Sequence, residues 1–190
     1  MASGVIATGA VVLTGGTAVR LGGADKAGIE IAGRTLLEYA LDAVTDASEV
    51  VVVGDWVPTA RPVTFTREDP ASGGPAAALL AGLDAFARLP AELVILAVDM
   101  PRVTMSTIAR LRDAAAGRDG AVLVDERGRR SLAYVVSTAA LTAARPAYGE
   151  EFGMPLRQLF EGLDLAAVPA HGDEARDVDT WDDLRALRGE

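Results

Sequence analysis

Seven short apolar runs, separated by helical and turn patterns, constrain what this chain can fold into. They are Ala10–Leu13, Glu49–Val53, Val63–Thr66, Leu93–Val98, Gly120–Val124, Leu132–Ser137 and Leu165–Val168. Several are near-continuous in Val, Ile and Leu. A strand covered by helices on both faces reads this way, whereas a half-solvated strand alternates apolar with polar residues. Thr35-Leu36-Leu37-Glu38 forms a capping box, with Thr at the N-cap and Glu three residues later. It opens an amphipathic stretch to about Ala47. Gly74-Pro75 opens a second helix, running to about Arg88, with Pro where its missing N–H costs nothing. A third covers about Ser106 to Ala116, and Thr180-Trp181-Asp182-Asp183 caps the last. Strands alternating with helices predict an α/β fold of three layers, with a doubly wound, mostly parallel sheet. Asp125–Arg130, with Gly128, reads as a hairpin turn, so a short antiparallel part falls near residues 120–137. Gly28 to Gly33 reads as a plain connection and Ala147 to Pro155 as a surface loop.

Composition narrows the function classes. At 190 residues the chain is most simply one domain, residues 1–190, long enough for a substantial core. No run approaches the roughly 18 apolar residues of a membrane span. Met1-Ala2-Ser3-Gly4 lacks the basic start of a signal peptide, so the expectation is a cytoplasmic protein with no membrane partner. With no cysteine and a single histidine, His171, thiolate metal sites, disulfides, Cys nucleophiles and His-based triads are excluded. The net charge of −9 argues against a nucleic-acid binder, which would carry a basic face.

Directly after the first apolar run, residues 14–26 supply four glycines, Arg20 and Lys26. Glycine lets backbone N–H groups approach an anion closely, and the two cations add fixed positive charge. A strand, a glycine loop and cations make a polyphosphate cradle. The loop is neither a P-loop, since five residues separate Gly16 from Gly22 and Ala27 follows Lys26, nor a G-x-G-x-x-G dinucleotide loop.

Ligands of open α/β sheets bind at the carboxyl ends of the strands, which singles out further residues. Asp99 follows the run Leu93–Val98. It suits a hard Mg²⁺ ion, which takes one or two carboxylates plus substrate phosphates, and equally suits a cap of the turn before Pro101. Gly74-Pro75 presents a helix start to an anion, with Asp69 shortly before it. Asp177-Val178-Asp179-Thr180 precedes the last helix, where Asp179 is either a second oxygen ligand or an ordinary cap. Arg127, Arg129 and Arg130 read as a solvated basic turn, the alternative being contact with an acceptor phosphate. Trp56 and Trp181 read as packing anchors.

The segment Leu13 to Lys26 resembles the signature loop of the MobA-like nucleotidyltransferases, roughly L-x-G-G-x-[SA]-x-R-M-G-x-x-D-K. Gly15, Gly16, Arg20, Gly22, Asp25 and Lys26 fall on it. Leu21 replaces the usual Met, and Val19 stands where a second Arg is common. Asp99-Met100-Pro101 matches the family's D-x-P, Gly74-Pro75 its G-P segment, and Asp179 to Leu184 its closing element. The resemblance implies a Rossmann-like nucleotidyltransferase fold and a Mg²⁺-dependent reaction with Arg20, Lys26 and Asp99 catalytic. Leu13, Gly15, Gly16, Lys26, Asp69, Gly74 and Asp99 would hold the nucleotide, and Asp99 and Asp179 the metal. It further implies transfer of GMP from GTP to the phosphate of molybdopterin, with Gly15-Gly16 favouring guanine and the Thr14 hydroxyl near the base. Proteins that hand over substrate or product would be partners. Cytidylyl transfer, another phosphorylated acceptor such as phospholactate or a sugar phosphate, and a non-catalytic nucleotide binder are the competing readings.

Overall fold

Period-two alternation inside the apolar runs decides the layers. The structure, a computed structural model, describes residues 7–15, 26–178 and 180–188. In β1 (Thr8–Leu13), Ala10 and Val12 enter one core while Val11 and Leu13 enter the other. The antiparallel pair β2 (Glu30–Ile31) and β3 (Arg34–Thr35) leads into α1 (Leu36–Ala43). β4 (Glu49–Val53), β5 (Thr64–Thr66), α2 (Pro75–Asp84), β6 (Glu92–Ala97) and α3 (Met105–Ala115) follow. The chain continues through β7 (Gly120–Val124), β8 (Arg130–Ser137), α4 (Thr138–Ala143), α5 (Leu156–Leu159), β9 (Leu165–Pro169) and α6 (Trp181–Arg188). Leu36, Leu37, Ile108, Leu111 and Leu184 cover one face of the main sheet. Leu79, Leu83, Leu141, Leu159 and Phe160 cover the other. Both faces are dry, which is why the strands read as continuous apolar runs.

The main sheet has the order β5-β4-β1-β6-β8-β7-β9. β8 runs antiparallel to both neighbours, and the other pairings are parallel. The chain winds outward from β1 to β4 and β5, then returns to the opposite side of β1 at β6. That reversal opens a crevice at the carboxyl ends of β1 and β6, where open α/β sheets bind ligands. Gly82 sets how closely α2 covers this region. A Cβ there would lie 2.8 Å from Val11 and 2.9 Å from Val53, so the helix rests directly on β1 and β4.

Three local readings change. The stretch after Lys26 is no plain connection: it forms a 3₁₀ turn (Lys26–Gly28) and the β2–β3 ribbon. α1 stops at Ala43 rather than Ala47, and other groups take the carbonyls at and beyond its end. Thr45 Oγ1 donates to Asp42 O, and the Arg61 guanidinium donates to Val44 O and Ala47 O. α2 stops at Asp84, short of Arg88. Segment 147–155 is the expected surface loop, tied to the start of α2 by Gly153 N donating to Gly73 O at 2.7 Å and Ala76 N to Met154 O at 3.3 Å.

Candidate active site

The chemistry concentrates where the topology places the crevice. Lys26 leaves the first loop on a 3₁₀ turn, and Asp99 follows β6 by two residues. Their side chains meet with Nζ and Oδ2 2.8 Å apart, and Lys26 is buried. Burying a lysine costs several kcal/mol unless a partner and hydrogen bonds satisfy it. The fold therefore specifies this pair across 73 residues of sequence. Thr14 is the next polar group along β1. It is buried, and its hydroxyl donates to Val53 O at 3.0 Å. That hydroxyl proton is engaged with the neighbouring strand, so Thr14 offers the cleft no uncommitted donor.

Around this floor lies a cleft of about 850 Å³. Leu13, Thr14, Gly15, Ala97, Val98 and Asp99 contribute from the strand ends, and Ser72, Gly74 and Pro75 from the start of α2. Gly74 has φ +92°, a backbone that favours glycine, and a Cβ there would lie 3.4 Å from Gly153. The helix start is thus shaped by its neighbour, and Ala76 N is consumed by Met154 O, so this terminus offers fewer N–H groups than the Gly-Pro motif suggests.

The third wall comes from the β7–β8 turn and from the segment before α6. Asp125 organises the turn. Its Oδ1 accepts the N–H groups of Arg127 (2.9 Å) and Arg129 (2.8 Å), and its Oδ2 accepts Arg129 Nε at 2.7 Å. The Arg129 N–H foremost, against desolvation and with help from the Arg129 side chain and the Arg127 N–H, holds the Asp125 carboxyl below its ordinary range. Arg129, Arg130 and Ser131 line the cleft; Arg127, on the same turn, does not. Asp177 lines it as well, and Val178 N donates to Asp99 O at 2.8 Å, which fastens the two acidic segments together. That fastening depends on Glu174. Its carboxylate accepts from Thr107 Oγ1 (2.7 Å), from both terminal nitrogens of Arg110 (3.0 and 2.6 Å) and from His171 N (2.8 Å). Burial favours the neutral acid, but these donors, the Arg110 fork foremost, pull the Glu174 pKa down to about 2.

Of the residues singled out in the sequence, Leu13, Gly15, Gly74 and Asp99 line the cleft, and Lys26 lies behind Asp99 as its ion-pair partner. Gly16, Arg20 and Asp179 lie outside the described residues. Asp69 lines a neighbouring cavity of about 330 Å³, while Glu68 borders both spaces. Trp56 is no packing anchor: it is 71 % exposed, its ring 6.5 Å from that of Phe65. Glu68, Ser72, Ser131, Asp177 and the Glu174 anchor were not singled out. Asp177 had a signal, the acidic tetrapeptide 177–180, but only the strand-end pairing of Val178 with Asp99 distinguishes it from Asp179.

A doubly wound sheet with Gly15 after β1, a buried Lys–Asp pair and a helix start at one cleft defines an α/β nucleotidyltransferase fold. The MobA-like NTP transferase domain matches residues 10–171, and the chain belongs to that family. A molybdenum cofactor guanylyltransferase from Rhodopseudomonas palustris (strain BisB5) is 37% identical over 66% of this chain and 63% of its own length. The chain thus spans under two thirds of that relative. Among solved structures, molybdopterin-guanine dinucleotide biosynthesis protein A from Archaeoglobus fulgidus superposes with a TM-score of 0.69 at 20% identity, covering 95% and 97% of the two chains. A 2-C-methyl-D-erythritol 4-phosphate cytidylyltransferase from Thermus thermophilus gives 0.71 at 23% identity, over 94% and 96%. A Mycobacterium tuberculosis H37Rv protein solved with manganese gives 0.65 at 19%, over 96% and 98%. These structures share the fold. No helix among the described residues is long and apolar enough to cross a membrane.

Proposed function

We propose that this protein transfers GMP from GTP to the phosphate of molybdopterin, releasing pyrophosphate, with Mg²⁺ as cofactor. The observation that carries the reading is the buried Lys26–Asp99 pair at the carboxyl ends of β1 and β6, combined with membership of the family. The guanylyltransferase relative supports guanine and molybdopterin as the substrates.

The residues present fit a hard divalent ion. Asp99 and Asp177 offer carboxylate oxygens on one cleft, and Mg²⁺ keeps waters and substrate phosphates, so it does not need a cage of protein ligands. Among the described residues no group of three acidic or His side chains forms such a cage. When bound, the ion supplies charge neutralisation on the phosphates. Lys26 holds the Asp99 carboxylate in place and brings a positive charge to the polyphosphate, with Arg20 as its companion by sequence position. In the reaction an oxygen of the acceptor phosphate bonds to the α-phosphorus. The bond from that phosphorus to the oxygen bridging to the β-phosphate breaks, and its electron pair leaves with pyrophosphate. The acceptor oxygen is already ionised near pH 7, so the step needs no general base, in keeping with a cleft whose catalysis is positioning and charge.

The test is turnover. Purified protein, GTP, Mg²⁺ and molybdopterin should release one pyrophosphate for each dinucleotide formed. Release with CTP but not GTP would move the reading to cytidylyl transfer, and release with neither would end it.

A further inference from the structure

Carboxylates dominate the described wall of the cleft, so an anionic acceptor needs local cations to enter. Glu68, Asp99, Asp125 and Asp177 all line it. Asp99 is met by Lys26 and Asp125 by Arg129, at 2.8 and 2.7 Å. Arg130 stands apart from this pairing. It is exposed, lines the cleft, and makes no ion pair or side-chain hydrogen bond among the described residues. Its position is fixed by register. Leu96 of β6 pairs with Ala133 of the antiparallel β8. Arg130 opens β8 opposite Val124 of β7, and Asp99 follows β6 by two residues. The Arg130 guanidinium and the Asp99 carboxylate therefore line one cleft.

The turn that carries it is held at several points. Besides the Asp125 side-chain bonds, Gly128 N donates to Asp125 O and Asp125 N to Arg129 O, both at 2.9 Å. Arg129 commits Nε to Asp125, and its two terminal nitrogens make no hydrogen bond among the described residues. The β7–β8 turn thus presents two adjacent guanidinium groups, one oriented by a carboxylate and one without a protein partner. Guanidinium forks match the planar, bidentate geometry of phosphate oxygens.

The geometry points to Arg130, with the terminal nitrogens of Arg129, as the site that receives the terminal phosphate of the acceptor. This inference rests on the nucleotidyl-transfer reading and adds a substrate class to it. The acceptor must be a phosphomonoester, whose charge of roughly −1.5 to −2 near neutral pH suits two cations; an alcohol or a phosphodiester does not. A phosphorylating or phosphate-retaining reaction must therefore supply the acceptor.

The experiment compares the native protein with Arg130→Ala, Arg130→Lys and Arg127→Ala, whose side chain shares the turn without lining the cleft. Phenyl phosphate, a simple phosphomonoester, is titrated while the arginine Nε signals are followed by NMR; the signal absent from Arg130→Lys belongs to Arg130. That signal should move saturably. In turnover, Arg130→Ala should raise KM for molybdopterin by roughly 10–100-fold, the loss of one charge-assisted contact, with GTP affinity unchanged, while Arg127→Ala stays within about twofold. A static Arg130 signal overturns the inference, as does a KM change shared equally by Arg127→Ala. If the native protein transfers no nucleotide, the titration still decides: a saturable shift upholds the phosphate site and only the transfer reading falls.

Discussion

The floor and the rim of the cleft each carry a cation–carboxylate pair at nearly the same distance, yet they are different devices. Lys26 and Asp99 meet at 2.8 Å with side chains 10 % and 20 % exposed, whereas Arg129 and Asp125 meet at 2.7 Å with 75 % and 21 %. At the floor, water is largely excluded, so each charge depends on the other and on whatever binds above them. At the rim, the solvated guanidinium gains little from its partner, and the pair serves to shape a turn. Distance alone says nothing of this. Under the proposed function, burial suits the floor to stabilising phosphate charge, and exposure suits the rim to meeting a second substrate.

Substitutions at the floor should have the largest effect. Asp99→Asn removes the negative charge that Lys26 is built around, and turnover should fall by on the order of 10²–10³-fold, the scale of losing one preorganised electrostatic contact. A steady-state assay under saturating GTP checks it; a fall of less than about threefold would make the floor structural. Next come the Arg130 variants, which act on acceptor KM and leave GTP binding intact.

A smaller effect is expected at Glu174, which holds the Asp177 segment against α3 without touching the floor pair. Its pKa of about 2 lies below the ordinary 4.5. A depressed acid stabilises the folded state above the unfolded pKa, and that stability is lost as pH falls through the folded value. Urea denaturation of the native protein should therefore weaken between about pH 5 and pH 2, with Glu174→Gln less stable by about 1–3 kcal/mol at pH 7 and flatter across that window. Parallel curves for the two proteins would remove the anchor. The smallest effect belongs to the rim pair. Arg129→Ala should cost under about 1 kcal/mol, and salt should shrink even that. A loss as large as that of Glu174→Gln would show that the rim is not solvated.

How legible the molecule was in its sequence follows the same division. The sheet was readable because dry faces on both sides force continuous apolar runs, and Glu49–Val53 and Gly120–Val124 match β4 and β7 residue for residue. Helix ends were not: past the end of α1 at Ala43, Arg61 takes the carbonyls of Val44 and Ala47, a tertiary choice. Short α4 and α5 had too few turns to show a period. In the site, Lys26, Gly74 and Asp99 announced themselves by position at strand ends and helix starts. Asp177 and Arg130 owe their place to pairings, Val178 with Asp99 and Val124 with Arg130, that no spacing along the chain encodes.

The central claim, that the Lys26–Asp99 floor binds a metal-complexed nucleoside triphosphate, is tested most directly by calorimetry of GTP, CTP and ATP with and without Mg²⁺, on the native protein and Asp99→Asn. The account predicts that GTP binds tightest, that its affinity rises with Mg²⁺, and that Asp99→Asn loses the Mg²⁺ dependence. Equal GTP affinity in the native protein and the variant, with or without the metal, would contradict it.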